Sequence, residues 1–409
     1  MNVLLAGFAT LVLAGCGGEP PAQEAPAADT TLVVSSDPEL RRVVAELLPD
    51  LAERSGLELR EPVRVERRSR EELESYLVAE LDEELEPEEA DRTVRSYALL
   101  GLVPADLDLR GLLLDVYTEQ VAGFYDPDST ALFVLDDMPA ETLGPLLVHE
   151  LVHALQDQAA DLDALTAPER GNDRQTAAQA AIEGHATLVM LEYMMEQLQG
   201  RAVDLSEVPD FAAQLRPALE SVRTQYPALG RAPRVVQEAM LFPYLEGAGF
   251  VQALWRARDG RPAPFGPYLP QSTEQVADPE RLVGEEPDPP TDVELTVEGR
   301  PGVFDATLGQ LETRIFLEEL SGAAAGDAAT GWDGDTLVLV EAPGGDALAW
   351  ATVWDDPGAR DRFVAAVEGG LVGLPASGSV EALEVSGRPV AVLRVGEVDG
   401  VTVTLPAGD

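Results

Sequence analysis

Hydrophobic positions recur at two different spacings along this chain, and the change of spacing divides it. Asp37-Pro38 has the form of an N-cap followed by a first-turn proline. Leu40, Val43, Val44, Leu47, Leu48 and Leu51 follow at helical intervals before Gly56 closes the segment. Pro49 should kink that helix. Ser69 and Glu72 form a capping box, which opens a second helix running to about residue 85. Helical spacing continues over 88–100 and 107–120. The period then drops to two, and segments 121–125 and 131–135 flank Asp126-Pro-Asp-Ser-Thr130 as a hairpin. Helical spacing returns in 140–158, where Leu143, Leu146, Leu147, Leu151 and Leu155 are apolar. A long helix is predicted over 173–199, with further helical segments to about 257.

Past a Pro- and Glu-rich stretch at 285–292 the pattern is different in kind. Segments 308–320 and 357–368 read as helices, while 337–341 and 348–354 read as strands about a Pro-Gly-Gly-Asp turn. Segments 390–395 and 401–405 flank Asp399-Gly400 as a second hairpin. The expected class is therefore α+β: a mainly helical body at 32–284 with a short hairpin before one helix, a linker at 285–292, and a small α+β unit at 293–409. A length of 409 residues also favours two domains over one core.

The amino terminus reads as a targeting segment. Residues 3–14 are apolar but too short to span a bilayer comfortably, which suits the h-region of a signal peptide. Leu13-Ala14-Gly15-Cys16 resembles the lipobox of bacterial lipoproteins. That resemblance implies removal of residues 1–15, a lipid on Cys16, and a Pro-, Ala- and Gly-rich tether at 17–31 to a membrane of the cell envelope. Met1-Asn2 departs from the pattern by offering no Lys or Arg. An ordinary secretory signal is the competing reading. Cys16 is the only cysteine, so no disulfide supports the fold.

Composition narrows the partners. With 45% hydrophobic and 25% charged residues the chain is globular, neither wholly disordered nor a polytopic membrane protein. Its 28 basic residues, all arginine, face 74 acidic ones for a net charge of −46, which excludes nucleic acid as a partner. Asp126-Pro-Asp128 and Asp333-Gly-Asp335 begin like calcium loops but lack the later ligands.

The chemistry gathers around the three histidines. His149 and His153 lie in His149-Glu-Leu-Val-His153, and spacing of i and i+4 puts both imidazoles on one helix face, within reach of one ion. Glu150 projects about 100° round from His149, placed to contact water on that ion without binding it. Zn²⁺ with three protein ligands keeps an open position and acidifies its water. Glu150 would take the proton and pass it to a leaving amine. The bland alternative is a helix with two satisfied histidines and a surface glutamate. Ile182-Glu183-Gly184-His185 offers the third ligand. Side chains at i and i+2 point about 200° apart, so either Glu183, which the charge favours, or His185 can face the ion. Asp157, four residues after His153, is a candidate acceptor behind its ring.

These residues carry a likeness. His149–Gln158, the element at Glu183–Ala186 and Gln120-Val-Ala-Gly-Phe-Tyr-Asp-Pro127 together resemble a group of exported prokaryotic gluzincin-type zinc metallopeptidases. So do Tyr244-Leu-Glu-Gly-Ala-Gly-Phe-Val251, Pro270–Gln275, Gly331-Trp332 and Thr352–Asp355. The resemblance implies a zincin-like domain, zinc on His149, His153 and Glu183, Glu150 as catalytic base, and a peptide or protein substrate. It also implies a hairpin strand along the cleft, where a peptide could add as a further strand. His185 stands where the group has Asp, so the third ligand stays open. Tyr193, Tyr226, Tyr244 and Tyr268 are unranked candidates for stabilising the oxyanion. Glu246 and Glu274 either line the cleft or face solvent. The alternative function is a catalytically silent zincin-fold lipoprotein that acts in envelope binding or assembly.

Overall fold

A computed structural model describes residues 29–138, 140–209, 214, 216, 217 and 223–406. Cys16, the lipobox and residues 17–28 of the tether lie outside them. The chain is α+β. Its body runs β1 (Val33–Val34), α1 (Pro38–Ser55), β2 (Val63–Arg68), α2 (Arg70–Glu84), α3 (Pro87–Leu99), α4 (Leu109–Gln120), β3 (Gly123–Asp126), β4 (Ala131–Leu135) and α5 (Ala140–Ala159). The short α6 (Leu162–Thr166), α7 (Asn172–Gln199), the short α8 (Pro227–Arg231) and α9 (Arg234–Ala257) follow.

Local signals set these elements. The Asp37 carboxylate accepts the amides of Glu39 and Leu40, Pro38 fills the first turn, and Gly56 ends α1 in the left-handed conformation. The helix runs on through Pro49. Ser69 and Glu72 cap each other at the start of α2. Among the described residues no helix is long and apolar enough to cross a membrane.

The body's sheet has the order β1-β2-β4-β3, with β1, β2 and β4 parallel and β3 antiparallel to β4. The hydrophobic pattern does not reveal β2. Its sequence Val-Arg-Val-Glu-Arg-Arg reads as polar, yet Val63 and Val65 are buried and the charged side chains turn out. The predicted hairpin is β3–β4, and β3 is the sheet edge. Leu135 donates its amide to the carbonyl of Ala122, which puts Phe124 and Asp126 in bonded positions and turns the backbone groups of Gly123 and Tyr125 away from β4. Gly123 also permits the strand to lie flat on α5, since a Cβ there would stand 3.0 Å from the Leu146 side chain.

Helices α7 and α9 cross at backbone contact. A Cβ on Gly184 would fall 2.0 Å from the carbonyl carbon of Gly247, and one on Gly247 would fall 2.1 Å from the carbonyl oxygen of Ala180. Only glycine allows such an approach. Helix α7 is buried almost all round from Ala177 to Glu192.

The remaining chain opens with two short helices, α10 (Thr273–Ala277) and α11 (Glu280–Val283). It then adds β5 (Glu294–Val297), β6 (Gly302–Ala306), α12 (Gly309–Ser321), β7 (Trp332–Ala342), β8 (Gly345–Trp354), α13 (Pro357–Gly370), β9 (Gly378–Val385), β10 (Arg388–Val395) and β11 (Val401–Thr404). Strands β6-β7-β8-β10-β9 form an antiparallel sheet. One face of it carries Leu337, Trp350 and Leu393, which join the core shared with α12, α13 and the body. The other face carries Val338, Ala349, Val353 and Val392 beneath Leu295 and Val297 of β5. The expected hairpin across Asp399-Gly400 does not form. Strand β10 lies between β8 and β9, and β11 pairs instead with β5, a hundred residues earlier in the chain.

The two parts interlock. Asp335 on β7 accepts hydrogen bonds from the indoles of Trp332 and Trp350 and from the amides of Leu308 and Gly309. Asp173, at the start of α7, accepts the amide and hydroxyl of Thr273. Residues 285–292 are fixed from both sides. Arg281 pairs with Asp288 and Asp355, Arg174 with Asp292, and the Thr291 amide donates to the Asp333 carbonyl.

Replacing Gly184 with Ala should lower stability by about 1–3 kcal/mol through overpacking, although Ala favours an isolated helix by about 1 kcal/mol. Thermal unfolding of the variant measures this, and a Tm equal to or above that of the parent would refute the tight crossing.

Candidate metal centre

Helix α5 presents His149 and His153 one turn apart, and α7 faces them with Glu183. The two Nε2 atoms are 3.1 Å apart, and Glu183 Oε2 lies 3.1 Å from one and 3.5 Å from the other. These three atoms form one of two groups among the described residues whose spacing could hold a metal ion. Exposure decides their chemistry: His149 and Glu150 are 0% exposed, Glu183 1% and His153 2%.

Hydrogen bonds define which atom of His153 is free. Gln156 Nε2 donates to the carbonyl of Ile182 at 2.9 Å, so its Oε1 must be the atom 2.8 Å from His153 Nδ1 and must accept from it. His153 therefore carries its proton on Nδ1 and turns the Nε2 lone pair toward His149 and Glu183. The same amide group lies 3.2 Å from His185 Nδ1, and His185 Nε2 donates to the carbonyl of Ser55 at 3.0 Å. Both ring nitrogens of His185 are thus engaged. Its ring sits edge-on to Trp255, and burial lowers its pKa to about 4. Of the two third-ligand candidates, the fold turns Glu183 into the cluster and His185 away from it, as their 200° separation on the helix requires.

Asp157 is not the acceptor behind His153. It accepts the hydroxyl of Tyr125 at 2.8 Å, tying α5 to the sheet edge. Gln156 at i+3 takes that role, a spacing that equally faces the preceding turn and that a search for acids passes over.

Electrostatics mark the cluster as strained without a cation. Burial alone would raise the Glu183 carboxyl, but the two imidazoles hold it well below the ordinary range. Burial, and then the charge of Glu183, push Glu150 well above it, opposed by the Tyr125 amide directed at its carboxyl. Among the described residues, both Glu150 oxygens, Glu183 Oε1 and His149 Nδ1 are buried without a hydrogen-bonding partner. Three atoms that can each present a lone pair converge here, and with all three deprotonated they need positive charge between them. A shared proton joins two of them, whereas a divalent ion satisfies all three. Two imidazoles with one carboxylate are a donor set suited to zinc, so the residues present fit that ion.

Of the four tyrosine candidates only Tyr244 reaches the cluster, its ring lying over His149 with centroids 6.3 Å apart. Tyr193 lies beside Asp50 and Arg54, Tyr226 near Glu119, and Tyr268 under Arg258. Glu246 pairs with Arg216. Glu274 is neither solvated nor in the cleft: it is buried 3.4 Å from Arg281, and burial pushes its pKa up to about 9. The second acidic group, Asp288, Asp333 and Asp355, is already neutralised by Arg281 and Arg388.

Beyond Tyr244 lies a cavity of about 620 Å³ between α2, the β3–β4 turn, α7 and the C-terminal unit. Ten carboxylates and no arginine line it among the described residues. Burial and Asp126 push Glu80 up to about 7, and burial and Glu80 push Glu84 up to about 8.

A family model for a domain of unknown function, DUF8575, matches residues 297–407. No curated protein and no solved structure matches the chain.

The raised carboxyls give a pH signature. An unfolded Glu titrates near pH 4.3, so between about pH 4.5 and 8 the folded chain keeps protons that the unfolded chain has released, and stability falls as pH rises. Glu84→Gln should raise Tm at pH 8 and leave it unchanged at pH 4.5. A Tm unchanged or lowered at pH 8 would contradict the assignment.

Proposed function

We propose that this protein is a zinc-dependent peptidase of the gluzincin type, held at the cell envelope by a lipid on Cys16. The observation that carries the reading is the convergence of His149 Nε2, His153 Nε2 and Glu183 Oε2, with the unpartnered Glu150 carboxyl beside them. Bound to those three atoms, zinc supplies Lewis acidity, acidifying water and polarising a carbonyl.

The chain's own residues do the rest. Glu150 takes a proton from water and returns it to the amide nitrogen as the peptide bond breaks. Its burial and the charge of Glu183 favour holding that proton, against the Tyr125 amide, which favours releasing it. Gln156, held by Ile182 and His185, fixes His153 in the tautomer that leaves Nε2 free. The outward backbone groups of Gly123 and the Tyr125 carbonyl are suited to pair with an extended substrate, while the Tyr125 amide faces Glu150. Full burial of the cluster requires the wall at Tyr244, between the cavity and His149, to move aside for substrate.

That same closure supports a second reading, a binding or assembly factor that retains zinc without turnover. Incubating the zinc-loaded protein with a diverse peptide library separates the two, since sequence-dependent cleavage that a chelator abolishes excludes a binding-only role.

Glu150→Gln should keep about one zinc per chain and lose cleavage by about 10²–10⁴-fold. Unaltered turnover in that variant would refute the mechanism. Gln156→Leu removes the acceptor from His153 Nδ1 and should weaken zinc affinity by about 10–100-fold. Competition with a chromogenic chelator measures this, and an unchanged affinity would show that the Gln156 hydrogen bonds do not position the ligand.

A further inference from the structure

The cavity on the far side of Tyr244 from His149 gathers ten carboxylates around one enclosed space. The arginines pair with acids outside it, as Arg95 does with Asp346, Arg234 with Glu318 and Arg281 with Asp355. None of the ten carboxylates lining the cavity is paired with an arginine among the described residues. They come from distant parts of the chain: Glu80 and Glu84 from α2, Asp126 and Asp128 from the hairpin turn, Asp163 from α6, and Glu312 from α12. Like charges gathered across a shared cavity repel one another, and that repulsion works against the folded state.

A second observation lies in the same wall. Tyr117 is 8% exposed and lines the cavity, and its hydroxyl, bonded to no described residue, opens on that space. A buried phenol normally finds a hydrogen-bonding partner. Glu84 Oε2 is buried and unpartnered among the described residues.

The position ties the cavity to the centre. Gln179 lines it and stands one turn before Glu183 on α7, on the same helix face. Tyr244 forms both its wall and the cover over His149, and Asp126 follows Tyr125 on the edge strand. A chain lying along β3 past Glu150 would continue into this space.

The geometry points to a polybasic peptide as the occupant: the cavity binds arginine and lysine side chains of the substrate flanking the bond to be cut. This rests on the peptidase reading and names its substrate class. Two features favour a peptide over a single metal ion. No three of the lining acids come within 4.8 Å of one another, so the charge is spread along the cavity rather than focused into a chelate. Tyr76, Tyr97, Tyr117 and Phe304 also line it, and aromatic walls suit the alkyl stems and cationic heads of Lys and Arg.

The test uses the full zinc-loaded chain in detergent. Two fluorescent peptides of the same sequence, one with Arg and one with Gln at alternate positions, are titrated by anisotropy against the Glu150→Gln variant, which does not turn over. The Arg peptide should bind at least ten-fold more tightly, and added salt should erode that margin. Glu80→Gln, Glu84→Gln and Asp163→Asn combined should abolish it while keeping the zinc content and raising Tm, because repulsion is relieved. Equal affinity for the two peptides, or a margin unchanged in the triple variant, overturns the proposal. Calcium bound at the cavity, lost in the triple variant, with no preference for the Arg peptide, also overturns it in favour of a cation site. Cleavage by the parent protein is followed separately. Equal cleavage of both peptides would sink the specificity and leave the peptidase standing. Selective binding of the Arg peptide with no cleavage of either would support the cavity's role and sink the peptidase.

Discussion

Two imidazole nitrogens and a carboxylate oxygen aimed at one point in a dry interior are the feature around which the rest of the molecule is arranged. Nitrogens 3.1 Å apart, with a carboxylate oxygen closing the triangle, repel unless positive charge lies between them, and burial removes the water that would otherwise screen them. Keeping such groups together takes a rigid surround. Much of the body supplies it: α7 is held at backbone contact with α9 through Gly184 and Gly247, and the sheet edge lies flat on α5 through Gly123.

Behind the cluster, a run of hydrogen bonds from the Ser55 carbonyl through His185 and Gln156 to His153 joins α1, α7 and α5. His185 thus serves the site without touching its centre. The C-terminal unit contributes rigidity of another sort. Thr273 and Gly309 close on Asp173 at the start of α7, so the helix that carries Glu183 is anchored where the two parts of the chain meet. The arginine pairs that fix residues 285–292 serve the same end, whereas no arginine reaches the acid-lined cavity among the described residues.

How much of this could be read from the sequence follows the range of each interaction. The helix holding His149, Glu150 and His153 is legible because its information is local: apolar spacing gives the helix, and i, i+4 spacing gives the shared face. Glu183 is half legible, since helix geometry shows that it and His185 cannot both point one way but not which of them points inward. The choice is made by packing between distant segments, with α7 meeting α5 through Glu183 and α1 through His185. Gln156 was hidden by an expectation that an acid stands behind a ligating histidine, and Asp157 next to it met that expectation while facing Tyr125. Strand β2 was hidden because four of its six residues are charged. The partner of β11 was hidden because nothing within 401–404 specifies pairing with 294–297. The cavity was invisible for the same reason, its acids lying between Glu80 and Glu312 in sequence.

The most direct test of the central claim is an anomalous-scattering map recorded at the zinc edge from crystals of the zinc-loaded protein. The account predicts one peak bonded to Nε2 of His149, Nε2 of His153 and a carboxylate oxygen of Glu183, at distances of about 2.0–2.2 Å, with His185 still turned to Ser55. A peak bonded to His185, or no peak among the three atoms, would contradict it.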